Sequence, residues 1–205
     1  TSYYDAQIVP ELSRRLKAVL NTIDANFEII FVDDGSTDDS AAAIEREHAS
    51  DARVKLIQFS RNFGQPFALR AGIQHATGDI VIIMDGDLQD IPEEIPKLIA
   101  PLGSGFDLVY AKRMHRQHNW YRRLGSRLLI KVLSLSMRDV SLTKEHEVML
   151  VGVFRAMNKN VADALRTLPE QTASIQALIR WVGFRQTTVE VEHGKRFAGP
   201  SKYSF

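Results

Sequence analysis

The chain has 205 residues and a mass of 23.1 kDa, with 44% hydrophobic and 25% charged residues, so its composition is that of a globular protein and excludes a disordered one. It contains no cysteine, which excludes disulfides and cysteine-ligated metal sites, and no apolar run approaches the ~20 residues of a membrane-spanning helix. The net charge of +1 is unevenly divided, because residues 1–100 carry −8 and residues 101–205 carry +9.

The first half of the chain alternates between helix and strand patterns. Apolar residues at helical spacing predict an amphipathic helix over residues 8–22. Short apolar runs predict strands, and the segments between them predict further helices. The predicted strands are residues 27–32, 54–59, 80–84 and 106–111, and the helices between them are 40–48, 65–76 and 92–102. This alternation predicts an α/β fold with a mostly parallel sheet flanked by helices, in which ligands bind at the carboxyl ends of the strands.

The second half of the chain is basic. Residues 112–138 contain eight Lys and Arg and no Asp or Glu, with Trp120 and Tyr121 beside an apolar stripe. This pattern is typical of an amphipathic helix that lies on an anionic membrane surface, and a solvated helix face is the simpler alternative. Further patterns predict helices over 158–168 and 172–182 and a strand over 187–192.

Polar clusters follow three of the predicted strands. Asp85-Gly86-Asp87 ends an unbroken apolar run, and in an extended segment two residues that are two apart point to the same side. Two carboxylates so placed suit Mg²⁺ or Mn²⁺, which completes its shell with water and substrate phosphates. The alternative is a solvated turn, since Asp and Gly are common turn residues.

The other clusters also have two interpretations. Asp33 and Asp34 are placed to hold a nucleoside, whereas the residues after them resemble the capped start of a helix. The segment 61–65, Arg-Asn-Phe-Gly-Gln, is either a ligand-binding loop or an ordinary polar loop. The tail 196–203, R-F-A-G-P-S-K-Y, is either an anion-binding cradle or a disordered end.

Taken together in this order, the motifs resemble those of family 2 glycosyltransferases of the GT-A fold. The matching segments are VDDGSTDDS, SRNFGQ, ATGDI, MDGDLQDIPEE and RFAGPSKYSF. The segment D-x-D-L-Q-D-x-P-E together with S-K-Y resembles the polyprenyl-phosphate branch, which includes dolichol-phosphate mannosyltransferases and the GtrB and ArnC types. The resemblance covers residues 9–205.

The resemblance implies a role for each motif. Asp33 and Asp34 would hold the nucleoside, Arg61 would lie beside the nucleotide, and Asp85 and Asp87 would anchor Mg²⁺ or Mn²⁺ on the donor diphosphate. A catalytic group would comprise Asp85, Asp87, Gln89, Asp90 and Arg113, with Gln89 and Asp90 near the transferred sugar. The diphosphate and the acceptor phosphate would be handled by Arg113, Arg122, Arg196, Ser201 and Lys202.

The implied activity is the transfer of a sugar from a nucleotide sugar to a polyprenyl phosphate. The transfer would be metal-dependent and inverting, and a UDP-sugar is the expected donor. Residues 1–205 would form one catalytic domain, with a nucleotide- and metal-binding half (1–111) and an acceptor- and membrane-facing half (112–205). The enzyme would lie on the cytoplasmic face of the cell membrane, held by an interfacial helix over 119–137 and by transmembrane helices that follow in relatives. No nucleic-acid partner is expected, and a homo-oligomer is left open.

The chain departs from the family pattern in two places. Such enzymes begin with a strand and a P-x-Y-N-E turn, whereas this chain begins with Thr1-Ser2-Tyr3-Tyr4-Asp5. The acidic segment before M-L-R reads E-H-E-V-M-L-V at residues 145–151, which leaves the role of Glu145 open. Two alternative functions therefore stay open: a soluble family 2 transferase that acts on a saccharide or a protein, and a nucleotide-binding module without catalysis.

Overall fold

A computed structural model of the protein describes residues 6–23, 26–113, 153–168, 178 and 182–194. In these ranges the chain alternates between strands and helices, as the sequence predicts. The elements are α1 (Ile8–Thr22), β1 (Ile29–Asp33), α2 (Ser40–Ser50), β2 (Val54–Gln58), α3 (Gln65–His75), β3 (Ile80–Ile83), α4 (Ile95–Ile99), β4 (Leu108–Arg113), β5 (Arg155–Asn158), α5 (Lys159–Thr167) and β6 (Gln186–Val191), with 3₁₀ turns at Pro92–Glu94 and Ala100–Ser104.

The helix boundaries follow from local chemistry. The predicted helix over 8–22 is confirmed to the residue, and its buried side chains recur every three or four positions, as at Leu12, Leu16 and Val19. The single helix predicted over 92–102 is instead divided into a 3₁₀ turn, α4 and a second 3₁₀ turn. Pro96 and Pro101 lie within that stretch, and a proline removes the amide that a continuous helix needs.

The α/β class is confirmed, and the strand pairing is mixed rather than mostly parallel. β1 and β2 form a parallel pair, and the second sheet has the order β3-β5-β4-β6. β4 and β6 are parallel, but β5 runs antiparallel to both of its neighbours. The sequence analysis misses β5, because Arg-Ala-Met-Asn is too short and too polar to show a strand pattern. Its insertion between β3 and β4 supplies both antiparallel pairings.

Helices pack on the sheets through two clusters of buried apolar residues. One contains the apolar face of α1 with Ile44, Phe31 and Leu98, and the other joins α3 to α5. Arg166 of α5 donates to the carbonyl oxygens of Ile73 (2.9 Å) and Ala76 (2.6 Å), so it satisfies acceptors that the end of α3 leaves open.

A cavity of about 970 Å³ separates β1 from β3. Its walls include Leu16 of α1, Ile30 of β1 and Ile82 of β3, and it reaches Asp85 at one end. The edges of β1 and β3 that line the cavity have no strand partner in the described part of the chain. Across these same residues, no helix combines the length and hydropathy that crossing a membrane requires.

Candidate active site

The predicted polar clusters meet at one edge of the molecule. β3, β4 and β6 run in the same direction, since β5 is antiparallel to both β3 and β4 and β6 is parallel to β4. Their carboxyl ends therefore share an edge, which carries the acidic loop 85–90, Arg113 and the segment 192–194. A side-chain hydrogen bond of 3.3 Å from Gln65 Nε2 to Asp85 Oδ1 joins the start of α3 to this edge.

Asp34 connects the end of β1 to the loop after β2. Its side chain is buried, and its two carboxylate oxygens accept the backbone N–H groups of Phe63 (2.7 Å) and Gly64 (2.9 Å). Charged acceptors make hydrogen bonds to backbone amides stronger than neutral ones do. Asp34 therefore shapes the Arg-Asn-Phe-Gly loop at residues 61–64.

Asp33 is buried completely. Its Oδ1 accepts the N–H of Ser36 at 3.2 Å, which forms a turn of the capping type, while its buried Oδ2 has no hydrogen-bond partner among the described residues. A buried carboxylate oxygen is costly without a donor. Asp33 therefore forms the turn at Ser36 but does not cap α2, which begins at Ser40 after Asp39 without a side-chain cap hydrogen bond. Its role beside a nucleoside stays a prediction.

Gly35 lets these two loops touch. Its φ is +73°, and a Cβ at this position would lie 2.4 Å from the carbonyl carbon of Arg61 and 2.7 Å from the amide nitrogen of Asn62. Only glycine permits both this conformation and this approach. Arg61 itself is exposed, with its guanidinium 4.4 Å from the centroid of the Phe63 ring.

The acidic loop after β3 is held by hydrogen bonds from its own backbone N–H groups to its own carboxylate side chains. The N–H of Asp85 donates to Asp90 Oδ2 at 3.0 Å, and the N–H of Gln89 donates to Asp87 Oδ1 at 3.0 Å. Leu88 lies between them at φ 61°, a left-handed conformation that is rare for a residue with a branched side chain. Such outliers persist only where the surroundings hold them, and they concentrate at functional sites.

Asp90 is buried and forms an ion pair with Arg113 at 3.1 Å. Burial raises the pKa of the Asp90 carboxyl, while the Asp85 N–H and Arg113 act in the opposite direction. Because both of its oxygens already have donors, Asp90 is placed to orient Asp85 and Arg113. Asp85 is itself strongly desolvated, and burial together with Asp90 and Asp87 raises the pKa of its carboxyl.

Sequence reasoning misses Arg155, which lies behind this edge in β5. It pairs with Ile83 on one side and Tyr110 on the other, is 1% exposed, and has its guanidinium 5.1 Å from the Tyr110 ring centroid. Burial lowers the pKa of Arg155, and Tyr110 and Asp85 oppose that shift. A lone Arg after Phe154 carries no local signal, so only the fold places this cation near the acidic loop.

The donor set suits a divalent metal in part. No group of three or more His, Asp or Glu side chains is arranged to enclose a metal within the described ranges. Asp85 and Asp87, however, offer two carboxylates two residues apart, which is the protein contribution that Mg²⁺ and Mn²⁺ accept when substrate phosphates and water supply the rest. The residues therefore fit a metal that arrives with, or is completed by, a diphosphate.

Several predicted site residues lie outside the described residues. These are Arg122, with the helix predicted over 119–137, and Arg196, Ser201 and Lys202 of the tail. The chain leading to the tail is described as far as Gly194, whose N–H donates to the carbonyl oxygen of Gln89 at 2.9 Å. The tail thus leaves the described part of the chain beside the acidic loop.

A substitution at Asp34 separates binding from capping. We expect Asp34→Ala to weaken binding of a nucleoside diphosphate by ~1–3 kcal/mol, because it leaves the amides of Phe63 and Gly64 without their acceptor and removes a carboxylate from the predicted nucleoside site. Asp39→Ala, at an exposed position before α2, is the matched control and should change binding little. Calorimetry with UDP and GDP measures both, and the reverse order would leave this segment a capping role only.

Comparison with known proteins shows the family to which the chain belongs. The model of the family "Glycosyl transferase family 2" matches residues 2–166. The chain is 36% identical over 202 residues to the uncharacterized glycosyltransferase YkcC of Bacillus subtilis, covering 98% of this chain and 61% of that protein. It is also 36% identical over 204 residues to an uncharacterized glycosyltransferase of Synechocystis, covering 99% and 62%, so it spans about three fifths of the length of these relatives.

A solved structure shows the same fold. The mannosyltransferase PcManGT of Pyrobaculum calidifontis, in complex with GDP-Man and Mn²⁺, superposes with a TM-score of 0.64 at 19% identity, covering 98% of this chain and 56% of that one. The predicted GT-A-like α/β fold is thereby confirmed. The family model matches most of the chain, and two relatives are 36% identical to it. The chain therefore belongs to glycosyltransferase family 2.

Proposed function

We propose that this protein transfers a sugar from a nucleoside diphosphate sugar to a polyprenyl phosphate at a membrane surface, with inversion at the anomeric carbon and with Mg²⁺ or Mn²⁺. The observation that carries the proposal is the loop 85–90. There Asp85 and Asp87 follow the end of β3. Hydrogen bonds from backbone N–H groups to the carboxylates of Asp87 and Asp90, and the ion pair of Asp90 with Arg113, hold the loop in place. A similar fold binds GDP-Man with Mn²⁺ in the archaeal mannosyltransferase, which supports the same kind of donor here.

The main contribution of the protein to this reaction is electrostatic, because two anions must approach each other. An acceptor phosphate is anionic at neutral pH, so it attacks the anomeric carbon with little help from a general base. The bond to the anomeric carbon forms as the bond to the diphosphate oxygen breaks, and the electron pair leaves with the nucleoside diphosphate. When bound, the metal would offset charge on that diphosphate. Arg113 lies at the same edge to approach the phosphate oxygens, and Asp33 and Asp34 lie beside the nucleoside position.

The acceptor class rests on the motifs of the second half of the chain. The tail carries Arg196, Ser201 and Lys202, and the chain that leads to it contacts Gln89 through Gly194. Cationic and hydroxyl side chains of this kind suit a second phosphate that must approach the donor diphosphate. In this proposal residues 1–111 bind nucleotide and metal, and residues 112–205 bind acceptor and membrane.

The membrane part of the proposal rests on charge. Residues 112–138 contain eight Lys and Arg and no acidic residue, and each such cation near anionic lipid adds ~1 kcal/mol of attraction. Since nucleotide sugars are cytoplasmic metabolites, we place the enzyme on the cytoplasmic face of the membrane.

Transfer to a defined lipid tests the function. We expect the protein, given Mn²⁺ and a panel of nucleotide sugars, to release nucleoside diphosphate only when undecaprenyl phosphate is present, with a glycolipid product seen by mass spectrometry. Undecaprenol without its phosphate is the matched control. Transfer to a soluble saccharide in place of the lipid would contradict the acceptor class and favour a soluble family 2 enzyme.

The same assay in vesicles tests the membrane role. Activity should rise with the anionic lipid fraction and fall with salt, because exposed charges are screened beyond ~10 Å at 0.1 M ionic strength. Replacing Arg122, Arg123 and Arg127 with Glu should reverse the lipid preference. Activity that ignores both lipid charge and these substitutions would leave the basic segment a solvated helix face.

A further inference from the structure

The segment after β6 lies directly against the acidic loop. His193 forms an antiparallel bridge with Asp90, and the N–H of Gly194 donates to the carbonyl oxygen of Gln89 at 2.9 Å. The contact is tight, since a Cβ at residue 194 would lie 2.8 Å from the carbonyl oxygen of Leu88. That neighbour is backbone, so a side chain at 194 would displace the loop itself.

The loop needs such support at Leu88. This residue holds φ at 61° although it is not glycine, and its side chain is 3% exposed. A left-handed conformation is unfavourable for a residue with a side chain, and such a residue relaxes unless its neighbours hold it. Besides the hydrogen bonds within the loop, His193 and Gly194 contact its main chain at Asp90, Gln89 and Leu88.

The same turn at Leu88 decides where the carboxylates lie. It separates Asp87, whose Oδ1 accepts the Gln89 N–H, from Asp90, whose Oδ2 accepts the Asp85 N–H. A shift of the main chain at residues 88 and 89 therefore moves Asp85, Asp87 and Asp90 relative to one another.

We propose that His193 and Gly194 form a clamp that positions the acidic loop, and that this clamp sets the geometry in which Asp85 and Asp87 take up the metal and diphosphate of the donor. The inference rests on the proposed donor chemistry of that loop. It makes Gly194 a positioning residue, which acts through the main chain of Leu88 and Gln89 and touches no reacting atom.

Calorimetric titration of the full chain with UDP and with GDP, each with and without Mn²⁺, tests the clamp. Gly194→Ala should weaken nucleotide binding about 10–100-fold in the presence of Mn²⁺, as loss of support behind a metal ligand does, and should leave binding without Mn²⁺ unchanged. Gly103→Ala is the matched control, because a Cβ there meets nothing within 4 Å. It should bind as the wild type does under both conditions.

The outcomes are distinguishable. Equal weakening with and without Mn²⁺, or no weakening at all, would overturn the clamp while leaving the donor chemistry intact. Wild-type protein whose nucleotide binding ignores Mn²⁺ would overturn the metal role of the loop, and the clamp with it, before any variant is compared.

A measurement on the wild type covers the case in which Gly194→Ala fails to fold. Coupling between two sites is reciprocal, so Mn²⁺ with UDP or GDP should slow hydrogen exchange at the Gly194 amide together with the Asp85 and Gln89 amides. Slower exchange within the loop and none at Gly194 would contradict the inference.

Discussion

Asp87→Asn is expected to abolish sugar transfer, a loss of at least about 100- to 1,000-fold, because it removes one carboxylate from the proposed metal–diphosphate site and several kcal/mol of transition-state stabilisation with it. The substitution removes the charge of Asp87 but keeps its hydrogen bond within the loop. Asp87 Oδ1 accepts the Gln89 N–H, and an Asn side chain can accept the same hydrogen bond. The loop should therefore keep its shape while it loses charge.

Asp85→Asn should weaken transfer severely for the same reason. Because burial and the neighbouring Asp90 and Asp87 already raise the pKa of Asp85, a neutral amide there should not destabilise the fold. Initial rates in Mg²⁺ and in Mn²⁺, with thermal unfolding of each variant, measure both effects. Asp39→Asn, an exposed acidic residue away from the loop, is the control. Near-normal activity of Asp87→Asn in Mg²⁺ would refute the metal role of Asp87.

The second large effect is expected at Gly35. Gly35→Ala should lower the free energy of unfolding by roughly 2–5 kcal/mol, since the new Cβ meets the backbone of Arg61 and Asn62 and the φ of +73° disfavours any side chain. Urea unfolding monitored by circular dichroism measures the change. Gly103→Ala, with open space around it, should shift stability by less than ~1 kcal/mol.

The structural effect of Gly35→Ala should be confined to the two loops that meet at this residue, unlike that of a substitution in the apolar core. If Gly35→Ala folds, the hydrogen bonds from Phe63 and Gly64 to Asp34 should be lost first, because the substitution pushes the two loops apart. The affinity for nucleotide should then fall even at temperatures at which the Gly35→Ala variant is still fully folded. Equal stability of the Gly35 and Gly103 variants would show that the loops relax without cost.

Contacts within a few residues are predicted well from this sequence. The helix over 8–22, the strands near 29, 54, 80 and 108, and the acidic cluster at Asp85 and Asp87 all follow from apolar spacing and from polar residues at strand ends. Because each depends on neighbours in the chain, periodicity alone is enough to predict it. The roles assigned to the acidic residues, to the tail and to the basic segment 112–138 stay predictions.

Tertiary structure decides what periodicity cannot. β5 lies between β3 and β4 and forms backbone hydrogen bonds with both, although its four residues have no strand pattern. That insertion also places Arg155 beside Tyr110, near enough to Asp85 for their charges to interact. Gln65 meets Asp85 across 20 residues of chain. Gly194 meets Leu88 and Gln89 across more than a hundred, at a distance that only a missing Cβ allows. Local patterns in the sequence therefore predict the helices, most of the strands and the candidate acidic residues. The packing of distant segments decides how those residues are held, because main-chain contacts between distant residues leave no periodic pattern.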